Sequence, residues 1–475
     1  MPGPLRGNRD LSQVATMVGV PQPSTEPVRF SMTSRISVIG TGYLGATHAA
    51  CMAELGFEVI GVDVDQQKID RLSQGDLPFH EPGLPELLVK HVRSGRLRFT
   101  TDYSEVGAWA DVHFIGVGTP ERPSDRGADL RYVDSAVRSL AQHITRDALV
   151  VGKSTVPVGT ARRLAEVIAA ESREGVAVEL AWNPEFLREG FAVRDTLTPD
   201  RLVFGVQSGT AEARLREVYA GALEQDTPLI VTDFETAELV KVAANAFLAT
   251  KISFINAFSE VTEAVGGDIR TLADALGFDS RIGRKFLNAG VGFGGGCLPK
   301  DIRALQTRVS ELGLNRTMDF LNNIDDINLR RRDRVVSLAH QMLGDSVAGR
   351  RIAVLGVAFK PDSDDVRDSP ALDVAGRLYN AGAEVTVYDP EGNDNARRRF
   401  PRLGYVDSVA EAAADADLVL LLTEWQEFKS LTPQDLAPRV RGRCLVDGRN
   451  VLDHGRWEDA GWTIAALGRK FDPAG

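Results

Sequence analysis

The sequence predicts an α/β protein in which two parallel-sheet domains are joined by a helical central domain with a long linking helix. Three observations predict this fold class. A strand, glycine loop, helix and strand follow one another from about residue 35, and the same order returns from about residue 351. Between them, apolar residues recur with the period of a helix. The length of 475 residues is enough for two to four domains.

The composition is that of a soluble globular chain, with 43% hydrophobic and 25% charged residues. A net charge of −11 argues against a nucleic-acid surface. We expect no membrane association, since no apolar run reaches the roughly 18 residues of a membrane span. The scattered cysteines Cys51, Cys297 and Cys444 predict neither a disulfide framework nor a metal site, and they favour a cytoplasmic location.

The domain boundaries follow these patterns. Residues 1–34, rich in Pro, Gly, Ser and Arg, are predicted to be a disordered N-terminal tail, or sequence upstream of a start at Met32. Residues 35–220 are predicted to form the first α/β domain and 221–345 the helical central domain. Residues 346–475 are predicted to form the second α/β domain.

The first domain opens with the pattern of a dinucleotide site. A β-branched run ending at Ile39 leads into the loop GTGYLG, and a helical pattern follows. The next strand, Glu58–Val62, ends at Asp63. The glycines let a pyrophosphate approach the helix N-terminus, while the acid suits a ribose 2′-hydroxyl and repels a 2′-phosphate. The pattern therefore predicts a Rossmann-like domain that binds NAD in preference to NADP.

Three further strands of this domain end in polar residues. These ends supply Thr119, Thr155 and Glu185. Ligands of open α/β sheets bind beyond the carboxyl ends of the strands, so we expect these side chains to line one crevice with the glycine loop. Turn formation explains any one of them alone, but their recurrence favours a site.

The central stretch carries two helical patterns. The first starts at about Thr236 and is apolar on all sides, which indicates a largely buried helix. Lys241 and Asn245 share one face of it, and they require polar partners there unless that face is solvated. The second pattern, residues 318–343, is expected to link the two α/β domains and to offer a dimer surface.

The second α/β domain repeats the opening pattern without its fingerprint. Gly356 corresponds to Gly40 and Asp389 to Asp63, but 33 residues separate the pair where 23 did before, and the phosphate-loop glycines are missing. The domain is therefore predicted to keep the Rossmann-like fold and to bind something other than NAD. Its cations suggest an anion such as a nucleotide diphosphate, and they are Lys360, Arg367 and Arg449.

The most distinctive chemical signal is the thiol of Cys297. Five of the seven residues from Gly290 to Gly296 are glycine, and Lys300 and Asp301 follow the thiol. Backbone amides in such a run can favour a thiolate. In a nicotinamide enzyme a thiolate can capture an aldehyde as a thiohemiacetal, so that a second hydride can leave and a thioester can be hydrolysed. A structural cysteine is the alternative.

In this order the motifs resemble those of the nucleotide-sugar 6-dehydrogenases, the UDP-glucose/GDP-mannose dehydrogenase family. The match runs from about Arg35 to Asp472 and rests on GTGYLG, STVPVGT, NPEFLREG, KVAANAFLATKISFIN, GFGGGCLPKD, GVAFKPDSDDVRDSP and VDGRN. The resemblance implies NAD-dependent four-electron oxidation of UDP-glucose to UDP-glucuronate. It also implies an N-terminal NAD domain, a C-terminal UDP-sugar domain, and a homodimer or higher homo-oligomer.

The resemblance further implies roles for single residues. The implied catalytic residues are the nucleophile Cys297, Lys241 and Asp301 for the alkoxide and the water, Asn245 for the oxyanion, Glu185 as a base in thioester hydrolysis, and Thr155 for a water. The implied cofactor-binding residues are Gly40, Gly42, Tyr43, Leu44, Gly45, Asp63, Lys68 at the pyrophosphate, Thr119, Thr155, Glu189 near the nicotinamide, and Arg367. The implied substrate-binding residues are Glu185, Phe186, Leu187, Lys241, Asn245, Arg281 from a neighbouring subunit, Phe293, Gly294, Phe359, Lys360 and Arg449.

One departure from the family pattern is visible, because GGGC replaces the common GGSC and removes a hydroxyl beside Cys297. Three alternatives stay open. A GDP-mannose 6-dehydrogenase shares this style of loop, a single-step hydroxyacid dehydrogenase would use Cys297 only structurally, and a nucleotide-sugar sensor would lack catalysis. The yield of NADH per substrate separates them, since the expected values are two for the first, one for the second and none for the third.

Overall fold

The structure is a computed structural model that describes residues 34–471. The predicted disordered tail, residues 1–34, lies outside the described residues except for its last position. Two parallel sheets flanked by helices, with a group of helices between them in the sequence, confirm the predicted fold class. Among the described residues, no helix combines the length and the apolar character needed to cross a bilayer.

The first sheet has eight strands in the order β3-β2-β1-β4-β5-β6-β7-β8, and every neighbouring pair is parallel except β6 with β7. The elements of this part are β1 Arg35–Ile39, α1 Tyr43–Glu54, β2 Glu58–Val62, α2 Gln66–Ser73, α3 Leu84–Arg93, β3 Leu97–Thr100, α4 Tyr103–Trp109, β4 Val112–Ile115, α5 Arg131–His143, β5 Ala148–Gly152, α6 Thr160–Glu171, β6 Val178–Trp182, α7 Ala192–Leu197, β7 Leu202–Gly205, α8 Gly209–Val218, α9 Ala220–Leu223 and β8 Leu229–Thr232. The strand order reverses between β1 and β4, which is where ligands of such sheets bind.

Four helices follow the first sheet. They are α10 Phe234–Val265, α11 Ile269–Gly277, α12 Leu298–Glu311 and α13 Phe320–Met342. The helix α10 begins two residues before its predicted start, because the Asp233 side chain accepts a hydrogen bond from the Thr236 amide at 2.6 Å. It ends at Gly266, which has the left-handed conformation that terminates many helices.

The second sheet has six strands in the order β11-β10-β9-β12-β13-β14, and the pairs are all parallel. Its elements are β9 Arg351–Leu355, α14 Pro370–Asn380, β10 Glu384–Tyr388, α15 Asn393–Arg399, β11 Gly404–Tyr405, α16 Val409–Ala412, β12 Leu418–Leu421, α17 Gln426–Lys429, α18 Pro433–Leu436, β13 Cys444–Asp447, α19 His454–Asp459 and β14 Thr463–Ala466. The strand order reverses between β9 and β12, so each sheet has its own switch point.

Each sheet carries an apolar core on both of its faces. In the first sheet one face packs on α1 and α3, and the other on α5 and α6. In the second sheet one face packs on α13 and α14, and the other on the short helices that precede β13 and β14. The predicted boundary at residue 220 falls before β8, although that strand pairs with β7 in the first sheet.

Candidate active site

The glycine loop lies between β1 and α1, as the sequence predicts. A Cβ atom added to Gly45 would lie 1.7 Å from the Gly40 carbonyl oxygen, so only glycine lets the helix approach the strand end. Gly42 precedes the first turn of α1 and, since glycine has no side chain, it cannot cap the helix. The unpaired amides of that turn are therefore available to an anion.

Asp63 follows β2 and turns back towards this loop. Its Oδ2 accepts hydrogen bonds from the Thr41 amide at 2.9 Å and from Lys68 Nζ at 2.8 Å. Its Oδ1 accepts only from the Asp65 amide, at 3.1 Å, among the contacts of the described chain. Burial acts to raise the pKa of Asp63, but the hydrogen bonds from Lys68 and the amides outweigh it and hold the pKa below its usual range. The charged carboxylate keeps a free lone pair, which fits a ribose hydroxyl.

The predicted strand ends come together. Thr119, which follows β4, donates a hydrogen bond from Oγ1 to the carbonyl oxygen of Thr155, which follows β5, at 2.8 Å. Lys300 Nζ lies 3.4 Å from the same Thr119 Oγ1 and 2.6 Å from Asp301 Oδ1. The lysine thus joins the strand ends of the first sheet to the helix that begins at the predicted nucleophile.

Asp301 lies at the centre of the predicted catalytic cluster. It is 2% exposed, and its Oδ2 accepts a hydrogen bond from Asn245 Nδ2 at 2.6 Å. The other oxygen pairs with Lys300. Asn245 on α10 therefore has a polar partner on α12. Lys241, on the same helix, has its ammonium 5.6 Å from the centre of the Phe186 ring.

Cys297 occupies the position directly before α12, and its side chain is exposed to the cleft. Desolvation by the surrounding cleft walls raises the pKa of the Cys297 thiol above its ordinary value. The carboxylates of Asp301 and Glu189 raise this pKa further, and the ammonium groups of Lys241 and Lys300 oppose them. This direction differs from the expectation that the glycine run favours a thiolate, because two carboxylates lie close to the sulfur.

The glycine run brings the second α/β domain close to the thiol. A Cβ atom on Gly294 would lie 2.4 Å from the backbone oxygen of Asp368, and one on Gly296 would lie 2.3 Å from the Arg367 guanidinium carbon. Asp365 holds that guanidinium at 2.7 Å and also accepts a hydrogen bond from the Gly296 amide at 3.3 Å. Gly296 stands where the GGSC pattern has its serine. The absence of that side chain leaves room for Arg367 of the second domain.

Arg449 and Lys360 extend this contact between the domains. Arg449 donates hydrogen bonds to the Gly292 and Phe359 carbonyl oxygens, both at 3.1 Å. Lys360 donates one to the Glu189 carbonyl oxygen. Burial lowers the pKa of Lys360, although Glu189 acts in the opposite direction. Both cations therefore follow strands of the second sheet, and Lys360 contacts the first domain while Arg449 contacts the glycine run.

The two glutamates of NPEFLREG have different surroundings. Glu185 Oε1 accepts hydrogen bonds from the next two backbone amides, and its Oε2 pairs with the buried Lys153 at 3.0 Å. Glu189 Oε2 accepts a hydrogen bond from Ser363 of the second domain at 3.0 Å, and its Oε1 lies 3.6 Å from Arg367. Burial and the charge of Asp365 raise the pKa of Glu189 to about 7.

Several other predicted residues lie in or beside this cleft. Leu187 contributes its amide to Glu185, Phe293 is 6% exposed, and the Phe359 ring contacts Gly295. Leu44 and Tyr43 begin α1. Arg281 is exposed and forms an ion pair with Asp279 at 2.6 Å, rather than with another residue of the predicted site. Its placement against a neighbouring subunit stays a prediction.

Sequence reasoning missed the asparagines that hold the glycine run. Asn328 on α13 accepts from the Phe293 amide at 2.7 Å and donates to the Phe293 carbonyl oxygen at 3.0 Å. Asn256 on α10 accepts from the Gly290 amide at 2.9 Å. A polar residue inside an apolar helical pattern was a signal for both. The sequence could not indicate which loop they hold.

No cluster of three or more metal-ligating side chains occurs within residues 34–471. The site instead combines a dinucleotide loop, a charged acceptor for ribose, an accessible thiol and a group of buried lysine and acid pairs. This set defines an oxidoreductase site for a dinucleotide cofactor and a second, anionic ligand.

Comparison with known proteins identifies the class more closely. The model of the UDP-glucose/GDP-mannose dehydrogenase family matches this chain with its NAD binding domain at residues 34–223, its central domain at 235–330 and its UDP binding domain at 353–454. A UDP-glucose 6-dehydrogenase of Rhizobium meliloti (strain 1021) is 42% identical over 438 residues, which cover 92% of this chain and 99% of the relative.

Solved structures give the same result. A UDP-glucose dehydrogenase from the archaeon Pyrobaculum islandicum matches with a TM-score of 0.83 and 40% identity, covering 89% of this chain and 96% of that one. A GDP-mannose dehydrogenase from Pseudomonas aeruginosa matches with a TM-score of 0.51 and 32% identity, covering 91% and 99%. The chain belongs to the UDP-glucose/GDP-mannose dehydrogenase family. It is an NAD-dependent oxidoreductase, and the prediction of NAD as its cofactor is confirmed.

Proposed function

We propose that this enzyme oxidises UDP-glucose to UDP-glucuronate and reduces two NAD for each sugar. One observation carries the proposal, which is the position of Lys300 between Thr119 at the end of β4 and Asp301 beside the thiol. This arrangement places a nucleophile suited to four-electron oxidation next to the cofactor crevice. The Rhizobium relative and the Pyrobaculum structure support UDP-glucose as the sugar nucleotide.

The first oxidation converts the C6 alcohol of the sugar to an aldehyde. Bound NAD supplies the hydride acceptor in this step and in the next oxidation. Lys241 stabilises the developing alkoxide, and Asp301 receives the hydroxyl proton. Asn245 and Lys300 fix both oxygens of Asp301, so the carboxylate is oriented before the substrate binds.

The second oxidation requires the sulfur of Cys297. Its S–H adds across the aldehyde C=O, so that an S–C6 bond forms and the thiol proton moves to the oxygen. Loss of that proton and of a second hydride from C6 gives a thioester. The raised pKa of Cys297 keeps the thiol protonated in the free enzyme, and Lys241 and Lys300 lower the barrier to ionisation as the aldehyde arrives.

Hydrolysis completes the reaction. Water adds to the thioester carbon and gives one proton to the base, the C–S bond breaks with the Cys297 sulfur as the leaving group, and the sulfur takes up a proton as the product is released as a carboxylate. Glu185 is the implied base, but its contacts with Lys153 and two amides suit a role in holding the loop. Glu189 acts on the pKa of Cys297 and has a pKa of about 7, which suits a base. We therefore propose Glu189 for this role, with Glu185 as the support of its loop.

The experiment that tests the function is a measurement of NADH yield with limiting sugar nucleotide. UDP-glucose, GDP-mannose and UDP-N-acetylglucosamine are supplied separately to the purified enzyme with excess NAD. We expect two NADH per UDP-glucose and little turnover of the other two. One NADH per sugar would indicate a single oxidation with a structural Cys297, and preference for GDP-mannose would favour the alternative substrate.

We also propose that the enzyme is a homodimer that pairs through α10. Five apolar residues of this helix repeat along one face and are 39–75% exposed, and they are Phe247, Phe254, Phe258, Val261 and Val265. This stripe lies on α10, whereas the sequence analysis favoured the α13 region. Light scattering should give twice the chain mass, and Phe247→Glu should shift it towards the monomer.

The predicted division into a cofactor domain, a helical dimerisation domain and a sugar-nucleotide domain stays part of this proposal, with the first boundary moved beyond β8. We also propose that the enzyme is located in the cytoplasm, since Cys51, Cys297 and Cys444 are free thiols.

A further inference from the structure

Glu81 is a buried carboxylate to which neither the sequence motifs nor the proposed reaction assigns a role. It lies in the loop between α2 and α3 and is 1% exposed. A carboxylate removed from water in this way requires donors. Its donors come from two other segments of the chain, which makes the loop of Glu81 a link between them.

The first donor is Tyr43, which opens α1 directly after the glycine loop. The Tyr43 hydroxyl donates a hydrogen bond to Glu81 Oε2. Burial raises the pKa of Tyr43 far above its usual value, and the neighbouring Glu81 raises it further, so the hydroxyl keeps its proton and remains a donor. The position of the cofactor loop is therefore tied to Glu81.

The other donors are backbone amides at the end of the NPEFLREG loop and just after it. The Gly190 amide lies 2.6 Å from Glu81 Oε2, and the Ala192 amide lies 2.7 Å from Oε1. Gly190 follows Glu189, and a Cβ atom on Gly190 would lie 2.7 Å from the Asp362 carbonyl oxygen of the second domain. The loop that Glu81 holds is thus packed directly against the domain predicted to bind the sugar nucleotide.

We propose that Glu81 is a positioning residue that couples the cofactor loop to the Glu189 loop, so that NAD and the sugar nucleotide bind more tightly together than alone. The identity of the second ligand rests on the proposed function. Coupling of this kind is reciprocal, because each ligand favours the same arrangement of the shared element. Glu81 is that element, since one carboxylate contacts both loops.

The alternative hypothesis, that Glu81 only stabilises the fold, predicts a different outcome. If Glu81 merely satisfied buried amides, its replacement would lower the melting temperature and leave the relative effect of one ligand on the other unchanged. The ratio of NAD dissociation constants without and with UDP-glucuronate is therefore the decisive quantity, because a purely structural role does not alter it.

The test measures NAD dissociation constants by calorimetry in wild type, Glu81→Gln and Tyr43→Phe, each with and without saturating UDP-glucuronate, the proposed product, which NAD cannot oxidise further. Glu81→Gln replaces one acceptor oxygen by a donor, so NAD alone should bind about tenfold more weakly. The ratio should exceed 1 in the wild type and fall to about 1 in Glu81→Gln. Glu86→Gln, at an exposed position on the neighbouring α3, is the matched control and should keep the wild-type ratio.

Tyr43→Phe keeps the backbone contacts of Glu81 and removes the hydroxyl that donates to Glu81 and accepts from the Gly190 amide at 3.3 Å. Because both bonds tie the cofactor loop to the Glu189 loop, the variant remains informative if Glu81→Gln does not fold. Its melting temperature should stay close to that of the wild type while its ratio falls to about 1. A wild-type ratio of 1, or an unchanged ratio in a folded variant, would overturn the proposal. Failure of UDP-glucuronate to bind the wild type would instead count against the proposed function, and the tenfold loss of NAD affinity would still test the position of Glu81.

Discussion

The two parallel-sheet domains place an aspartate at the same point of the fold and use it differently. Asp63 after β2 and Asp389 after β10 each accept a hydrogen bond from the residue that follows the loop glycine of the preceding strand, Thr41 and Val357 respectively. Asp63 also pairs with the partly exposed Lys68. Asp389 accepts instead from buried partners of its own domain.

The partners of Asp389 occupy both oxygens of its carboxylate. Its carboxylate accepts from the amides of Val357, Ala358 and Gly392 at 2.7–2.9 Å and from the Trp425 indole at 3.2 Å. The loop after β9 is therefore held by the protein itself. The comparison indicates that an aspartate at such a strand end can bind a cofactor when one of its carboxylate oxygens stays free. It stabilises the fold when groups of the chain donate hydrogen bonds to both oxygens. The longer loop of the second domain then presents Lys360 to the partner domain.

The largest effect is expected at the junction of the two domains. Cys297→Ser should lower kcat by at least about 10³-fold, because a hydroxyl does not replace the thiol that captures the aldehyde. Dissociation constants for NAD and for UDP-glucose, measured by calorimetry, should stay close to those of the wild type, since neither domain is altered. Turnover near the wild-type rate would exclude covalent catalysis at this position.

The paired aspartates provide a direct test of the comparison. Asp63→Asn should weaken NAD binding about ten- to hundredfold, because the charged acceptor for the ribose is lost. Asp389→Asn should leave NAD affinity unchanged and lower the free energy of unfolding by about 2 kcal/mol, since a buried acceptor becomes a donor. Calorimetry and denaturant titration of both variants check this. Equal losses of NAD affinity would contradict the division of roles.

The close approach of the domains at Gly294 is testable by substitution. Gly294→Ala should lower the free energy of unfolding by about 2 kcal/mol and reduce activity, because its Cβ would meet the Asp368 backbone at 2.4 Å. Gly221→Ala is the matched control, since Gly221 lies in α9 with open space around it. Denaturant titrations of both should differ, with the control neutral or slightly stabilised. Identical stabilities would show that the domains do not rely on this contact.

The smallest effect is expected in the pH dependence of the free energy of unfolding, to which Glu189 contributes at the contact between the domains. Its pKa of about 7 in the folded chain exceeds the ordinary value of 4.5, so the folded state favours the protonated form. The stabilisation is therefore complete below about pH 4.5 and is lost as the pH rises through 7, by about 3 kcal/mol at most.

Glu189→Gln should make the unfolding free energy less dependent on pH between 5 and 8, as followed by denaturant titration. Part of the slope should remain, since burial also raises the pKa of Glu238 to about 7. Glu86→Gln, on the exposed face of α3, should keep the wild-type slope. A steeper slope in Glu189→Gln would contradict the assignment of the raised pKa to this residue.

The fold could be predicted because its signals are local. The glycine loop, the strand that ends at Asp63 and the repeat from residue 351 each contain their own periodicity and punctuation. The motifs likewise predicted that Asn245 and Asp301 belong to one site, and the two are hydrogen-bonded. The family resemblance supplied this grouping, because spacing along the helix placed only Lys241 and Asn245 together.

The partners within the site could not be predicted, because they depend on distant segments. The pairing of Glu185 with Lys153, the contact of Gly296 with Arg367 and the link from Glu81 to Tyr43 all join residues whose separation in sequence carries no pattern. The raised pKa of Cys297 has the same origin in part, since it arises from desolvation and from the charge of Glu189 in a distant loop as well as from the nearby Asp301. Such contacts follow from packing.

The most direct test of the central claim is mass spectrometry of the enzyme during turnover with UDP-glucose and NAD. Glu189→Gln, which should slow hydrolysis, is mixed with both ligands, quenched in acid and digested. A peptide containing Cys297 should carry the mass of a uridine diphosphate glucuronyl group, bound as a thioester that hydroxylamine removes. A Cys297 peptide that stays unmodified in this variant and in Glu185→Gln, while UDP-glucuronate accumulates, would contradict covalent catalysis by this thiol.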